Sequence, residues 1–214
     1  MQAPQDTKPR WERRKDARPQ ELLAAALEQF VERGYAATRL EDVAKHAGVS
    51  KGTLYLYFAN KEELFKAVVR ANIVATIGEA EQDAASHDGP SGELLGALML
   101  RWWREICATP LGGITKLMFA EGNNFPELAQ FYNDEVVARG SNLFIRVLSR
   151  GIERGEFQPV DPVIMTRVLI APVLMLMMWT HSFMPTCDMP DIPPEAFMET
   201  LISTTLRGLK ADPP

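Results

Sequence analysis

The sequence predicts an all-α chain of about nine helices, with an N-terminal three-helix unit and a larger helical unit behind it. Three observations carry that reading. Apolar residues recur at helical spacing almost throughout, with no convincing alternating run that would mark a strand. Glycines, prolines and capping residues interrupt the pattern at intervals suited to single helices. Finally, residues 38–64, TRLEDVAKHAGVSKGTLYLYFANKEEL, read as two short helices about a glycine turn, the layout of a helix-turn-helix.

Each element has its own signal. Leu23, Ala26, Leu27 and Phe30 place the first helix over 19–33, and Gly34 stops it. Thr38 and Glu41 form a capping box for a second helix with Leu40, Val43, Ala44 and Ala47 inward, ended by Gly48. Ser50 caps a third helix in which Leu54 and Phe58 face the core. Asn60 with Glu63 opens a long fourth helix through Leu64, Val68, Ala71 and Ala75. Beyond a Ser/Gly/Pro loop at 86–92, five further helices are expected near 92–108, 111–121, 126–154, 161–184 and 194–210. The resulting division is a basic arm over 1–17, a three-helix domain over 18–77 with its helix-turn-helix near 41–60, and a larger helical domain over 78–214.

Composition narrows the function classes. Of 214 residues, 46% are hydrophobic and 24% charged, the balance of a soluble globular protein. Cys107 and Cys187 have no paired Cys or His near them, so both read as buried thiols and no metal site is expected. No phosphate-cradling glycine loop, nucleophile motif or metal spacing is present, which argues against an enzyme and for no cofactor. The first twenty residues are polar and unlike a signal peptide, so a cytoplasmic location is expected. The longest apolar run, 168–179, contains Pro172 and is bounded by Arg167; it reads as a buried helix rather than a membrane anchor. Net charge is −5, yet residues 1–66 carry 12 basic and 10 acidic residues against 11 and 18 in the remainder. Six of those basic residues, Lys8, Arg10, Arg13, Arg14, Lys15 and Arg18, fall within eleven positions that could follow phosphates or enter a minor groove.

The helix-turn-helix brings chemistry with it. Its second helix must offer N-terminal residues to the major groove. Lys51 can donate to guanine, Gly52 lets backbone approach phosphate, and Thr53 offers a hydroxyl and a methyl. Tyr55 and Tyr57 suit phosphate contacts, and Lys61, placed against the dipole of its own helix, suggests an external anion.

Residues 18–77 resemble the N-terminal domain of the TetR family of transcriptional regulators. The resemblance rests on Phe30, Gly34, Tyr35, Thr38, Val43, Ala44, Ala47-Gly48-Val49-Ser50, Gly52, Leu54-Tyr55, Tyr57-Phe58 and Lys61-Glu62-Leu64; Arg39 is the least typical residue. It implies a homodimeric DNA-binding regulator, most simply a repressor that leaves a palindromic operator when a small molecule binds. The DNA-facing positions it implies are Thr38, Lys51, Gly52, Thr53, Tyr55, Tyr57 and Lys61. A regulator without an effector, an activator and a helical-bundle enzyme are the rival readings.

For the second domain, helices 161–184 and 194–210 are the expected dimer contacts. The first is apolar nearly all round; the second has Met198, Leu201, Ile202, Thr205 and Leu209 on one face and small Ser203, Thr204 and Gly208 beside it. Met99, Trp102, Trp103, Met118, Phe119, Phe131, Met175 and Trp179 are the expected pocket residues, suited to a hydrophobic or aromatic effector and to control of efflux or stress genes. His181 is expected to be a satisfied interface histidine rather than a ligand.

Overall fold

The computed structural model describes residues 10–183 and 192–211, with side chains from Pro19 onward. Lys8 and Cys187 lie outside these residues, as do the side chains of Arg10, Arg13, Arg14, Lys15 and Arg18. The described residues form nine helices and no strand: α1 (Arg10–Ala37), α2 (Leu40–His46), α3 (Lys51–Tyr55), α4 (61–86), α5 (91–107), α6 (Pro110–Glu121), α7 (126–153), α8 (Pro162–Ser182) and α9 (Pro194–Leu209). Two compact units result, divided between Val68 and Val69.

In the N-terminal unit α1 begins at Arg10, earlier than the periodicity suggested, and carries Pro19 inside it. Gly34 breaks the helix with φ 82° and ψ 167°, a conformation open to glycine alone. Phe30, Tyr35 and Phe65 pack as a ring triad with centroids 5.2–5.7 Å apart, joining α1 to the start of α4. The α2–α3 turn is a Schellman motif: Gly48 (φ 67°) donates to the Lys45 carbonyl, and Val49 to that of Ala44. Ser50 then caps α3 by accepting from the Thr53 amide, and Asn60 caps α4 by accepting from that of Glu63.

The C-terminal unit is organised by prolines in the first turns of α6, α8 and α9 and at the start of α7. Thr109 and Asp161 cap α6 and α8 with their side-chain oxygens. Its core runs through Leu95, Met99, Trp103, Leu148, Val173, Met177 and Met198, all essentially solvent-free. Cys107 is buried there as expected, and that burial pushes its thiol up to about 12. The Nε2 of His181 lies 2.7 Å from the Cys107 carbonyl oxygen, so this histidine is satisfied inside the protomer.

Three helices slip by one residue into π-helical turns, at Arg70–Val74 in α4, Trp103–Cys107 in α5 and Asn133–Ala138 in α7. Helix α8 is long and apolar enough to cross a membrane by length and composition, and it packs on α6 and α7 along one side. Its other side leaves Val163, Ile164, Val168 and Met175 exposed. On α9 the apolar face turns inward instead: Met198 and Leu209 are buried, and Leu201, Ile202 and Leu206 pack against the core.

Gly48→Ala should destabilise the N-terminal unit by about 1–2 kcal/mol in urea unfolding, because a Cβ there meets no atom within 4 Å and only the left-handed backbone resists it. An unchanged midpoint would show that the turn relaxes to another conformation.

Candidate nucleic-acid interface and effector cavity

Helix α3 has five residues, too few to hold itself, and it is anchored by Leu54, which is solvent-free. That anchor fixes which residues face outward. Lys51, Gly52 and Tyr55 are exposed, and Thr53 and Tyr57 half-buried. Five of the seven expected DNA-facing residues therefore sit together on the solvent side of α3 and the turn after it. Leu56, 83% exposed, sits among them and was not anticipated.

Their chemistry is poised rather than free. The Lys51 ammonium lies 2.5 Å from Glu41 on α2 and 5.8 Å from the Tyr55 ring centre. The hydrogen bond to Glu41, and then its charge, hold the Lys51 pKa above its ordinary value. Both partners are exposed, so an ion pair of this kind is weak and a phosphate can displace the carboxylate. The Thr53 hydroxyl shares a 2.9 Å hydrogen bond with that of Ser50. At Gly52 an added Cβ would meet nothing closer than the Ser50 hydroxyl at 3.7 Å, so the fold itself does not require glycine there.

The other two expected residues, Thr38 and Lys61, have bonding partners inside the protein. Thr38 is buried, and its hydroxyl donates to the carbonyls of Gly34 at 2.7 Å and Gln29 at 3.0 Å. It neither caps α2, whose N-cap is Arg39 without a side-chain bond, nor turns its hydroxyl outward. The Lys61 ammonium donates to the carbonyls of Tyr35, Ala36 and Thr38 at 2.7–3.1 Å and lies 4.5 Å from the Tyr35 ring centre. A lysine has three donors, and three are met here. The carbonyls just past the Gly34 break, not an outside anion, explain a cation at the start of α4. Burial, followed by the charge of Glu62, raises the phenol of Tyr35 to about 12, so it stays neutral under this cation.

Within the C-terminal unit a cavity of about 370 Å³ lies among α5, α6, α7, α8 and the part of α4 beyond Val69. All three π-helical turns border it, through Ile73, through Ile106, and through Asn133 with Val136 and Val137. Of the eight pocket residues expected from sequence, Trp102, Met118 and Phe119 line it. Met99, Trp103 and Phe131 are buried in core packing, Met175 is 66% exposed on α8, and Trp179 packs tilted against Phe183. Polar groups in the wall are few. The Thr115 and Tyr132 hydroxyls bond to each other at 2.8 Å, whereas the buried Ser141 hydroxyl has no partner among the described residues. No group of metal-binding side chains occurs among the described residues.

Residues 22–68 match the family described as bacterial regulatory proteins of the tetR family, and residues 90–192 match a tetracyclin repressor-like C-terminal domain. The chain belongs to the TetR family. It is accordingly a DNA-binding transcriptional regulator rather than a member of an enzyme family. Among curated TetR-family relatives, the Bacillus subtilis fatty acid metabolism regulator protein is 29% identical over 73% of this chain and 80% of its own length. An uncharacterized HTH-type transcriptional regulator of the same organism, YfiR, is 28% identical over 69% and 72%. Among solved structures, the regulator FadR of Bacillus subtilis in complex with stearoyl-CoA superposes with a TM-score of 0.74 at 23% identity, covering 89% of this chain and 98% of that one. A ketosteroid transcriptional regulator of Mycobacterium tuberculosis gives a TM-score of 0.67 at 22% identity, covering 91% and 96%. At these identities the superpositions establish the shared TetR fold.

Lys61→Ala should lower stability by about 1–2 kcal/mol in urea unfolding, since charged hydrogen bonds are lost and three carbonyls lose their donor. Arg33→Ala, which breaks an exposed pair with Asp42 at 3.1 Å, should cost under about 0.5 kcal/mol. Equal losses would contradict the structural role given to Lys61.

Proposed function

We propose that this TetR-family regulator is a homodimeric repressor that leaves a palindromic operator when an apolar effector enters its C-terminal cavity. The solvent-facing cluster of Lys51, Gly52, Thr53, Tyr55 and Tyr57 carries the reading. Lys51 and Thr53 meet base edges while the tyrosines take phosphates. Glu41 is the counter-charge that operator phosphate displaces.

A second copy of the chain supplies the symmetry. On α8, Ile164, Val168, Ala171 and Met175 follow the i, i+4, i+7, i+11 rhythm of one helical face, and all four are exposed in the protomer. An unpaired apolar stripe of this length favours a partner of the same kind, with the small residues Ser203, Thr204 and Gly208 of α9 exposed beside the proposed seam. Two recognition helices related by a two-fold axis then meet successive major grooves about 34–36 Å apart.

The effector reading rests on the cavity, which has the size and apolar lining of a small-molecule site. The resemblance to a fatty acid metabolism regulator and to a ketosteroid transcriptional regulator favours a lipid-like effector. It also favours lipid-metabolism genes over the efflux or stress genes expected from the methionine content alone. Release follows if the effector prefers an arrangement of the α4–α8 wall that the operator-bound dimer does not adopt, a coupling typically of about 1–3 kcal/mol. The chain acts in the cytoplasm, where the operator is.

The test is an electrophoretic shift on DNA upstream of the chain's own gene. The native chain should shift it, an added lipid-like compound should reverse the shift, and Gly52→Val should abolish it while leaving the unfolding midpoint within about 0.5 kcal/mol, as for surface substitutions generally. No shift at any salt concentration would remove the reading. Glu41→Gln should raise affinity for any duplex by about threefold, because it frees Lys51 and removes a charge repelled by phosphate. Val168→Glu should yield a monomer in sedimentation; a dimer of unchanged mass would exclude α8 from the interface.

A further inference from the structure

We infer that the cavity takes an amphiphile with one anionic group, and that Arg167 of α8 binds the anion. This inference rests on the effector reading above and specifies the ligand it leaves open. The cavity wall holds two arginines, Arg101 and Arg167, and no aspartate or glutamate. Such a wall disfavours a cationic ligand, because nothing in it offers a counter-charge.

The two arginines differ in what they have left to give. Arg101 is saturated: its guanidinium lies 2.6 Å from Asp83, 2.7 Å from Glu79 and 2.8 Å from Glu105. Three carboxylates around one cation leave a local excess of negative charge, so Arg101 is closed to a further anion. Arg167 makes no ion pair among the described residues and is exposed, with five donors in a fork suited to a carboxylate or a phosphate.

Its position on α8 supplies the rest of the geometry. Ile170 and Leu174 also line the cavity, one and two turns further along the same helix face. The three residues form a stripe about 10 Å long, with a cation at one end and aliphatic side chains beyond it. A ligand lying along this stripe places its anion on Arg167 and its apolar body against Ile170 and Leu174, with Trp102 and Phe144 in the same wall. Arg167 borders the exposed 164–168–171–175 stripe, three residues after Ile164 and four before Ala171, so the mass of each variant's dimer is checked together with its affinity.

The experiment compares three probes sharing one chain, dodecanoate, dodecyl phosphate and dodecan-1-ol, by calorimetry on the native dimer and on Arg167→Gln and Arg167→Lys, with dimer mass verified by sedimentation. At least one anion should bind the native protein about tenfold more tightly than the alcohol, the size of a charge-assisted hydrogen bond. Which anion wins distinguishes a carboxylate from a phosphate head. Arg167→Gln should erase the preference while leaving alcohol affinity unchanged, Arg167→Lys should keep part of it, and added salt should reduce it in the native protein. If alcohol and anions bind equally, or if Arg167→Gln weakens all three alike, the role of Arg167 is refuted while the apolar effector reading stands. If none binds, both fail.

Discussion

A helix of five residues has too few hydrogen bonds to persist alone in water, so the segment proposed to read DNA depends on the burial of one side chain. Leu54 is that side chain, and its solvent-free seat sets the rotation of the whole segment. With Leu54 inward, Lys51, Gly52 and Tyr55 must point away from the protein. The seat is itself built by longer-range devices: the Schellman turn at Gly48, the Phe30–Tyr35–Phe65 triad, and the Lys61 ammonium gathering the carbonyls that α1 leaves behind at Gly34. Reading and support are thus done by different residues. Those that hold the segment are buried or fully bonded, and those proposed to read DNA have solvent or one weak partner.

The C-terminal unit solves a different problem, keeping a space open inside a helical bundle. Close packing would normally fill it. Here three π-helical turns border the space, the Trp102 ring stands edge-on to Phe144 at 6.2 Å, and the Thr115 and Tyr132 hydroxyls share one hydrogen bond. Among the described residues, the buried Ser141 hydroxyl of the lining has no hydrogen-bond partner. An apolar space with so few polar groups selects by shape, and on the proposal above by Arg167, which makes no ion pair among the described residues.

Much of this was legible in the chain. Gly34, Gly48, Ser50, Asn60 and the prolines at 110, 126, 162 and 194 act through local backbone rules, and apart from α1, which runs Arg10–Ala37, and the cap of α2, the helices begin and end close to where those rules put them. The internal bonds of Thr38 and Lys61 were not legible, because their partners are carbonyls around the break at Gly34, which no spacing rule within 38–64 contains. The pocket residues were only partly readable for a similar reason. Periodicity shows that Met99, Trp103 and Phe131 share a helical face with apolar neighbours, but not whether that face meets core or void. Arg167 gave a usable signal, the one arginine or lysine in the apolar helix Pro162–Ser182, that aromatic and methionine content obscured. The π-helical turns left none, because a one-residue slip of the ladder is decided by what packs outside it.

The account turns on which groove the Leu54-anchored segment enters, and methylation interference on operator DNA measures that directly. Methyl groups on guanine N7, in the major groove, should block binding in two patches about 10 base pairs apart, one for each protomer, while methyl groups on adenine N3, in the minor groove, should not. Interference confined to adenine N3, or to a single patch of guanines, would contradict a two-fold dimer reading the major groove through Lys51 and Thr53.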